Sequence, residues 1–526
     1  MNYTLTDASG KQTAANSPLA AARAMLPLIS DEKWTIIFAL LAILANSLFT
    51  LVGPIIVGYT IDTYVVTKDY AGVLLFSGIL LVIFLAAFGT SYVKTKLMGT
   101  VGQRVLFNLR NSIFLKLEEL PVAFFNQNKA GDLISRINND TDKLNQFFSQ
   151  SLMQFVGNAF IIVGAGIFLL AINIRLGAAS LAPALGLLVF TQLISAWVKR
   201  KNLVSLQTIG GMSSEIQESL NNFRVIVAFN RRDYFRDRFQ EANEKNFTAS
   251  VTAGLANNIF TPTYGFISNL GQLIVLTYGI ALILGGNLSI GLLISYLAYV
   301  NRFYDPLRQM ASFWSSFQLA LAAWDRISAI LSLKTDMAVT PETTTHTSAS
   351  LLEFKNVSFG YTEGKDVLHD VNFTLQPGKT YALVGPTGGG KTTTASLMAR
   401  LYDPTAGTVL LSGKDIRSYE PEERTKKIGF ILQEPFLFSG TVRENILYGN
   451  AEYAEYGSDE LLAVLKDSEL DTLLVRFEKG LDTDVRSSGD GLSLGQRQLI
   501  AFMRAVLRHP DLLILDEATA NIDTVT

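Results

Sequence analysis

Six apolar stretches limit the folds open to this chain more than any other feature. They lie near residues 34–58, 72–94, 149–171, 177–197, 258–284 and 288–320. Each has the length of about 20 residues that an α-helix needs to cross a bilayer. A single such stretch can be the buried helix of a large soluble core. Six of them within one chain point instead to a membrane bundle. Hydrophobic residues make up 49% of the 526 and charged residues only 17%, a balance that agrees with a membrane part. The last two stretches are the more polar. In the sixth, NRFYDPLRQ carries Arg302, Asp305 and Arg308. Charges at membrane depth face a cavity or a partner; Arg302 and Asp305, three apart on a helix, could equally pair with each other.

Charge sets the orientation. Eight lysines and arginines lie between spans 2 and 3, from Lys94 to Lys143, and nine between spans 4 and 5, from Lys199 to Lys245. The short loops on the other side show only Lys68 and Arg175. Basic residues stay on the cytoplasmic side, so both long loops and both termini are expected in the cytoplasm. The segment LFNLRNSIFLKLEEL keeps a helical period through Leu106, Leu109, Ile113, Leu117 and Leu120, so the membrane helices should continue into the cytoplasm. The opening MNYTLTDASGKQ lacks the basic and apolar regions of a cleavable signal. Residues 18–30 read as a short interfacial helix. The chain has no cysteine, which excludes disulfides and thiolate metal sites. A net charge of −2 offers no basic surface for nucleic acid.

The composition changes after span 6. The expected order is a tail over 1–33, a six-span domain over 34–334, a Thr/Ser-rich linker over 335–350 and an α/β domain over 351–526. Within the last, LEFKNVSFGY alternates like a half-buried strand, and TYALVG and DLLILD read as buried strands.

Three motifs in this part carry chemistry. The first, GPTGGGKT, runs over Gly385, Pro386, Thr387, Gly388, Gly389, Gly390, Lys391 and Thr392, with Thr393 next. It fits G-x-x-x-x-G-K-[ST] between an apolar run and a helical one. Backbone N–H groups of such a loop wrap phosphates, the lysine reaches the β- and γ-phosphates, and the hydroxyl of Thr392 meets Mg²⁺. The second, LLILDEAT, ends an apolar strand in Asp516 and Glu517. Two buried carboxylates at a strand end need a cation or a chemical role. Asp516 would hold Mg²⁺ through its water shell, and Glu517 would orient or deprotonate the attacking water. The third is GDGLSLGQRQ. Ser493 and Gln496 form an S-x-x-Q capping box, and Leu499, Ile500, Met503, Val506 and Leu507 follow at helical spacing until Pro510. A capped helix start with free N–H groups attracts anions.

Taken together these motifs resemble a half-transporter of the ATP-binding cassette (ABC) exporter family. The likeness covers residues 30–526, nearly the whole chain. Leu492–Gln496, LSLGQ, is similar to that family's signature loop. Tyr361 in FGYTEG matches the aromatic that stacks on adenine. Gln433 in ILQEPFLF matches the glutamine that meets Mg²⁺ and senses the membrane domain, and so joins Glu517 as a catalytic candidate. Asp523 matches the loop beyond the catalytic glutamate. Residues 124–141 and 218–233 resemble the two coupling-helix regions. The resemblance implies an all-α six-helix membrane domain with long cytoplasmic extensions, followed by an α/β P-loop ATPase domain. It implies ATP and Mg²⁺ as ligands, a multi-pass location in the cytoplasmic membrane, and export of a small amphipathic or hydrophobic compound: a drug, a lipid or a peptide. It also implies a second half-transporter, since each ATP is held between one P-loop and the other subunit's signature loop, here Ser493, Leu494, Gly495 and Gln496.

Two departures from the pattern matter. The family's switch histidine and the last strands of its ATPase domain do not occur before Thr526, which reads as a C-terminal truncation. And Leu494 stands where the family has glycine. A P-loop with Asp516 and Glu517 beside an altered signature resembles one half of a heterodimeric exporter, so a non-identical partner is expected; a leucine tolerated at a pocket edge is the alternative. The competing function is a nucleotide-sensing subunit that closes on ATP without turnover.

Overall fold

The computed structural model describes residues 3–5, 26–334, 337–340, 350–362, 364–486, 489 and 491–517. It forms two compact units. One comprises Lys11–Ile113 and Ser135–Ser328; the other comprises Met1–Gly10, Phe114–Ile134 and Ala329–Thr526. Asp523 and most of residues 1–25 lie outside the described residues.

The helical part is built from α1 (Lys33–Thr60), α2 (Tyr70–Glu118), α3 (Val122–Gln127), α4 (Ala130–Ser135), α5 (Thr141–Gln146), α6 (Leu152–Ile172), α7 (Ile174–Asn221), α8 (Phe223–Ala228), α9 (Arg232–Asn258), α10 (Phe260–Leu284) and α11 (Ile290–Leu331). With 49 residues, α2 is about 70 Å long at 1.5 Å per residue, far beyond a bilayer's thickness. The helical period through Leu106–Leu120 therefore does mark a continuation of the same helix. Leu74, Leu81, Val82, Leu85 and Phe88 of α2 are all exposed, a surface that lipid tails solvate and water does not.

Among the described residues, five helical runs are long and apolar enough to cross a membrane: Ser30–Val65, Tyr70–Glu118, Ala130–Ile172, Ile174–Asn221 and Arg232–Leu284. The sixth expected span exists as α11 but is not among them. Asn301, Arg302, Asp305 and Arg308 lower its hydropathy, and its membrane role rests on packing. Three of its tyrosines supply that packing. The Tyr296 hydroxyl donates to the Leu169 carbonyl on α6 at 2.6 Å, and that of Tyr304 to the Ser180 carbonyl on α7 at 2.8 Å. The Tyr299 hydroxyl donates to the Leu51 carbonyl on α1. Leu51 and Ser180 each stand three residues before a proline inside a helix, Pro54 and Pro183. A mid-helix proline removes one N–H and pushes open the preceding turn, which leaves carbonyls free to accept from a neighbouring helix.

A charged cluster closes the far end of the same unit. The Asp140 side chain is fully buried and accepts from Lys143 Nζ at 3.0 Å and from the Arg326 guanidinium of α11. Arg136, also buried, donates Nη1 to the Arg326 carbonyl at 2.9 Å.

The second unit holds the sheets. Strands β1 (Leu352–Phe359), β2 (Leu368–Leu375), β3 (Ala406–Leu411) and β4 (Lys414–Asp415) make an antiparallel sheet in the order β2-β1-β3-β4. Leu352, Phe354, Val357 and Phe359 of β1 point into its core, so the half-buried alternation expected of LEFKNVSFGY is present. Strand β5 (Ile428–Ile431) pairs in parallel with β8 (Leu512–Leu515), and β6 (Gly440–Thr441) pairs antiparallel with β7 (Asp484–Val485). Helices α12 (Lys391–Met398), α13 (Pro421–Lys427), α14 (Val442–Leu447), α15 (Ser458–Asp467) and α16 (Leu494–Val506) complete it. A second core joins α14, α15 and α16 through Val442, Ile446, Leu461, Leu465, Ile500 and Met503.

Two strand expectations need correction. Residues 380–385 (TYALVG) are not a buried strand. They adopt no strand pairing among the described residues, and Val384 is 87% exposed. An apolar run becomes a buried strand only when neighbours supply a ladder. DLLILD does form β8, but with β5 as its one partner among the described residues only Ile514 is buried.

The Asp140 cluster yields a stability prediction. Asp140→Ala should leave Arg326 and Lys143 without their shared carboxylate. Because both cations are partly exposed, the cost should be about 2 kcal/mol rather than the larger loss of a fully buried pair. The melting temperature in detergent should fall, and Asp140→Asn, which can still accept hydrogen bonds, should fall less.

Candidate functional site

The site grows from the turn that precedes α12. Gly388 and Gly390 have φ of +82° and +83°, a region other residues enter only with strain. Gly390 is the residue from which α12 starts. The turn thus folds back so that the first N–H groups of α12 point out of its end, where a phosphate can accept from them. Lys391 Nζ lies over the turn and donates to the carbonyls of Gly385 at 2.9 Å and Pro386 at 3.0 Å. These are bonds that a phosphate oxygen could replace.

Next to this turn stands the end of β8. Thr392 Oγ1 donates to Asp516 Oδ1 at 3.2 Å, so a hydroxyl and a carboxylate converge at the head of α12. Gln433, two residues beyond β5, donates Nε2 to Glu517 Oε2 at 2.7 Å. The parallel β5–β8 pair sets both contacts, since it ends at Ile431 and Leu515 in register. Glu517 has a φ of +52°, a strained conformation of the kind found where side chains must be aimed. The expectation of two buried carboxylates is corrected here: Asp516 is half-buried and Glu517 exposed. With one face open to solvent they need no buried counter-ion.

These residues fit a nucleotide and a hard cation. No group of three His, Cys, Asp or Glu that could hold a metal occurs among the described residues. A Mg²⁺ held by one carboxylate, one hydroxyl, waters and phosphate oxygens suits the pair Thr392 and Asp516.

Tyr361 shares a hydrogen bond at 3.1 Å with Thr393 Oγ1. Its ring meets those of Phe359 and Tyr402 edge-on, at 5.0 Å and 5.2 Å between centroids. Half-exposed on one side and fixed on the other, it offers a flat face beside α12. The structure therefore brings together Tyr361, Lys391, Thr392, Thr393, Gln433, Asp516 and Glu517.

It does not bring the GDGLSLGQRQ loop to them. Ser493 Oγ accepts from the Gln496 N–H at 3.1 Å, and Gln496 Oε1 accepts from the Ser493 N–H at 2.9 Å, the expected capping box. Gln496 Nε2 donates to the Arg476 carbonyl at 2.8 Å. Ser493 is exposed, and Leu494 and Gly495 are half-buried at the first positions of α16.

Two further features were not read from the sequence. Asn126 on α3 donates Nδ2 to the Tyr402 hydroxyl at 2.6 Å, and burial pushes the Tyr402 phenol above its ordinary value. Tyr402 touches Tyr361, so α3 reaches within two side chains of the site. Residues 3–5 lie along the same helix: the Tyr3 N–H donates to Gln127 Oε1 at 2.7 Å and the Leu5 N–H to Asn128 Oδ1 at 2.9 Å. Just past Gln433 there is also a cavity of about 290 Å³, lined among others by Pro435, Phe436, Phe438, Tyr448, Arg504 and Arg508. Asn126, Gln127 and Asn128 lie in the stretch 124–141, and Pro435, Phe436 and Phe438 in ILQEPFLF, but no spacing there marks these contacts or the cavity.

A bundle of membrane-length helices joined in one chain to a phosphate-binding turn and a carboxylate pair is the build of an ATP-driven membrane transporter. Comparison with known proteins agrees. Residues 36–307 match the family model described as ABC transporter transmembrane region, and residues 368–520 match that described as ABC transporter. The chain is similar to the uncharacterized ABC transporter ATP-binding protein YfiC of Bacillus subtilis (31% identity over 98% of this chain and 85% of that one). It is similar to a fatty acid ABC transporter ATP-binding/permease protein of Mycobacterium tuberculosis (30%, over 87% and 72%). It is also similar to the probable multidrug resistance ABC transporter ATP-binding/permease protein YheH of Bacillus subtilis (30%, over 86% and 66%). The chain belongs to the ABC transporter family. It is a membrane-embedded half-transporter that binds ATP and couples its hydrolysis to export.

The glycine turn can be tested directly. A Cβ on Gly388 would meet nothing within 4 Å, whereas one on Gly390 would meet Leu368 Cδ2 at 2.6 Å. Gly388→Ala should therefore cost only backbone strain, about 1 kcal/mol. Gly390→Ala should add a clash and weaken nucleotide binding by at least tenfold more, read by titration with a fluorescent ATP analogue.

Proposed function

We propose that this chain is the hydrolysing half of an asymmetric exporter in the cytoplasmic membrane. Residues 34–334 form its membrane domain, residues 335–350 a linker and residues 351–526 its nucleotide-binding domain on the cytoplasmic side. The observation that carries the reading is the paired geometry at the head of α12, where Thr392 meets Asp516 and Gln433 meets Glu517. In this reading Gly385, Pro386, Thr387, Gly388, Gly389 and Gly390 cradle the phosphates, Lys391 neutralises their charge, and Tyr361 stacks on the base beside Thr393. Thr392, Gln433 and Asp516 hold Mg²⁺, which when bound neutralises charge on the phosphates. Glu517 accepts a proton from the attacking water.

The partner follows from the signature loop. A glycine at the start of α16 would let a γ-phosphate held by another subunit approach the N–H groups behind Ser493. Leu494 brings a side chain and a narrower backbone range to that place. An intact P-loop beside this substitution supports a non-identical partner that hydrolyses poorly while relying on this chain's Glu517. The exported compound is small and amphipathic or hydrophobic, in keeping with the fatty acid and multidrug roles carried in the names of two relatives.

Three variants test this. Lys391→Ala should abolish photolabelling of the chain by an ATP analogue. Glu517→Gln should keep ATP binding and remove nearly all turnover of the purified heteromer; near-normal turnover would leave a nucleotide-sensing subunit instead. Leu494→Gly should change that turnover only modestly. If the chain alone purifies as a homodimer with full substrate-stimulated ATPase, the asymmetric reading fails.

A further inference from the structure

The two faces of α11 differ sharply. One is packed: Tyr296, Tyr299, Val300 and Tyr304 are buried. Asn301, Asp305 and Arg308 fall on the other, spaced by four and three residues, and all three are exposed. Arg302 sits half-buried at the edge of this stripe. The anticipated Arg302–Asp305 pair does not form. Among the described residues, Arg302, Asp305 and Arg308 make no hydrogen bond or ion pair.

Depth makes this unusual. At 1.5 Å per residue from Ile290, Asn301 lies about 16 Å and Arg308 about 27 Å along the helix, within the roughly 30 Å of a hydrocarbon core. A charge facing lipid near the middle of that thickness, where Arg302 falls, would cost about 3 kcal/mol. The flanking helices turn polar groups to the same stripe. Gln272 of α10 donates Nε2 to Asn301 Oδ1 at 2.7 Å, and Asn158 of α6 donates Nδ2 to Gln309 Oε1 at 3.2 Å. Three helices thus contribute polar groups to this face.

We propose that the Asn301–Asp305–Arg308 face, with Arg302 at its edge, is the headgroup subsite for the exported compound, and that this compound is an amphipath with an anionic headgroup. The proposal rests on the export reading above. Two guanidiniums against one carboxylate leave the face with a net positive charge. Guanidinium forks match the oxygens of a carboxylate or phosphate, and do so best out of water. Asp305, three residues from each arginine, offsets their charge before the ligand arrives. Ile294, two turns before Asn301 on the same face, is exposed and apolar, a surface suited to an acyl tail.

Binding to the nucleotide-free protein, co-purified with its partner in nanodiscs of zwitterionic lipid, tests this independently of turnover. The probes are oleate, a lysophosphatidate of the same chain length, and the matched alkyltrimethylammonium. Oleate or the lysophosphatidate should bind at least tenfold more tightly than the cation, and the better of the two identifies carboxylate or phosphate as the headgroup. Arg302→Gln and Arg308→Gln should each weaken that binding at least tenfold, while Arg302→Lys and Arg308→Lys, which keep the charge but lose the fork, should each weaken it less than the matching glutamine variant. Asp305→Asn should leave anion binding unchanged or tighter. Preference for the cation, its loss in Asp305→Asn, or glutamine variants equal to the parent would overturn the proposal. ATPase of the same preparation reports separately on the export reading.

Discussion

The hydroxyls of Tyr296, Tyr299 and Tyr304 hold the membrane bundle together. Each is buried and each reaches a main-chain carbonyl on a different helix. A tyrosine hydroxyl in an apolar interior must find an acceptor, or its burial costs several kcal/mol. Helix carbonyls are normally occupied, and here two of the acceptors stand three residues before Pro54 and Pro183, where the helix is opened. Ser295 adds a further tie to α1 by donating to the carbonyl of Pro54 at 2.7 Å. The prolines of α1 and α7 and the tyrosines of α11 are therefore two halves of one arrangement. Because it occupies one face of α11, the polar residues of the opposite face are held in a fixed orientation.

The nucleotide-binding unit depends on a comparable constraint. The parallel register of β5 with β8 determines that Gln433 and Glu517 leave their strands side by side, and that Asp516 reaches Thr392. None of these contacts is buried deeply. Their geometry is carried instead by the core beneath, where Phe354 and Phe373 stack at 4.5 Å and Leu397 and Met398 of α12 pack against the sheet. Asn126 and Tyr402 extend the arrangement to α3. A displacement of that short helix would be felt by the ring of Tyr361 within two contacts.

Much of this was legible in the residues alone. Apolar length located the starts of the helices to within a few residues, because a membrane-crossing helix must satisfy every backbone group within itself and cover a set thickness. The glycine turn, Asp516 and Glu517 were legible because their chemistry demands particular residue types at short spacing, and the capping box of Ser493 and Gln496 because it closes within four residues. The order of those motifs was enough to indicate the family.

What the sequence could not determine were pairings between distant segments. Nothing local distinguishes Tyr299 from any other tyrosine, and only its position opposite Leu51 makes it a tie. TYALVG has the composition of a buried strand, yet a strand is a relation to neighbours, and no described strand lies beside it. Arg302 and Asp305 have the spacing of a helical pair, and only the packing of α11 turns them apart. The sequence by itself therefore determined which segments are helices and which short loops carry chemistry, since both follow from contacts within a few residues. The tertiary structure alone decided which carbonyls receive the tyrosines, which face of α11 is left polar, and how Gln433 comes to meet Glu517 84 residues away.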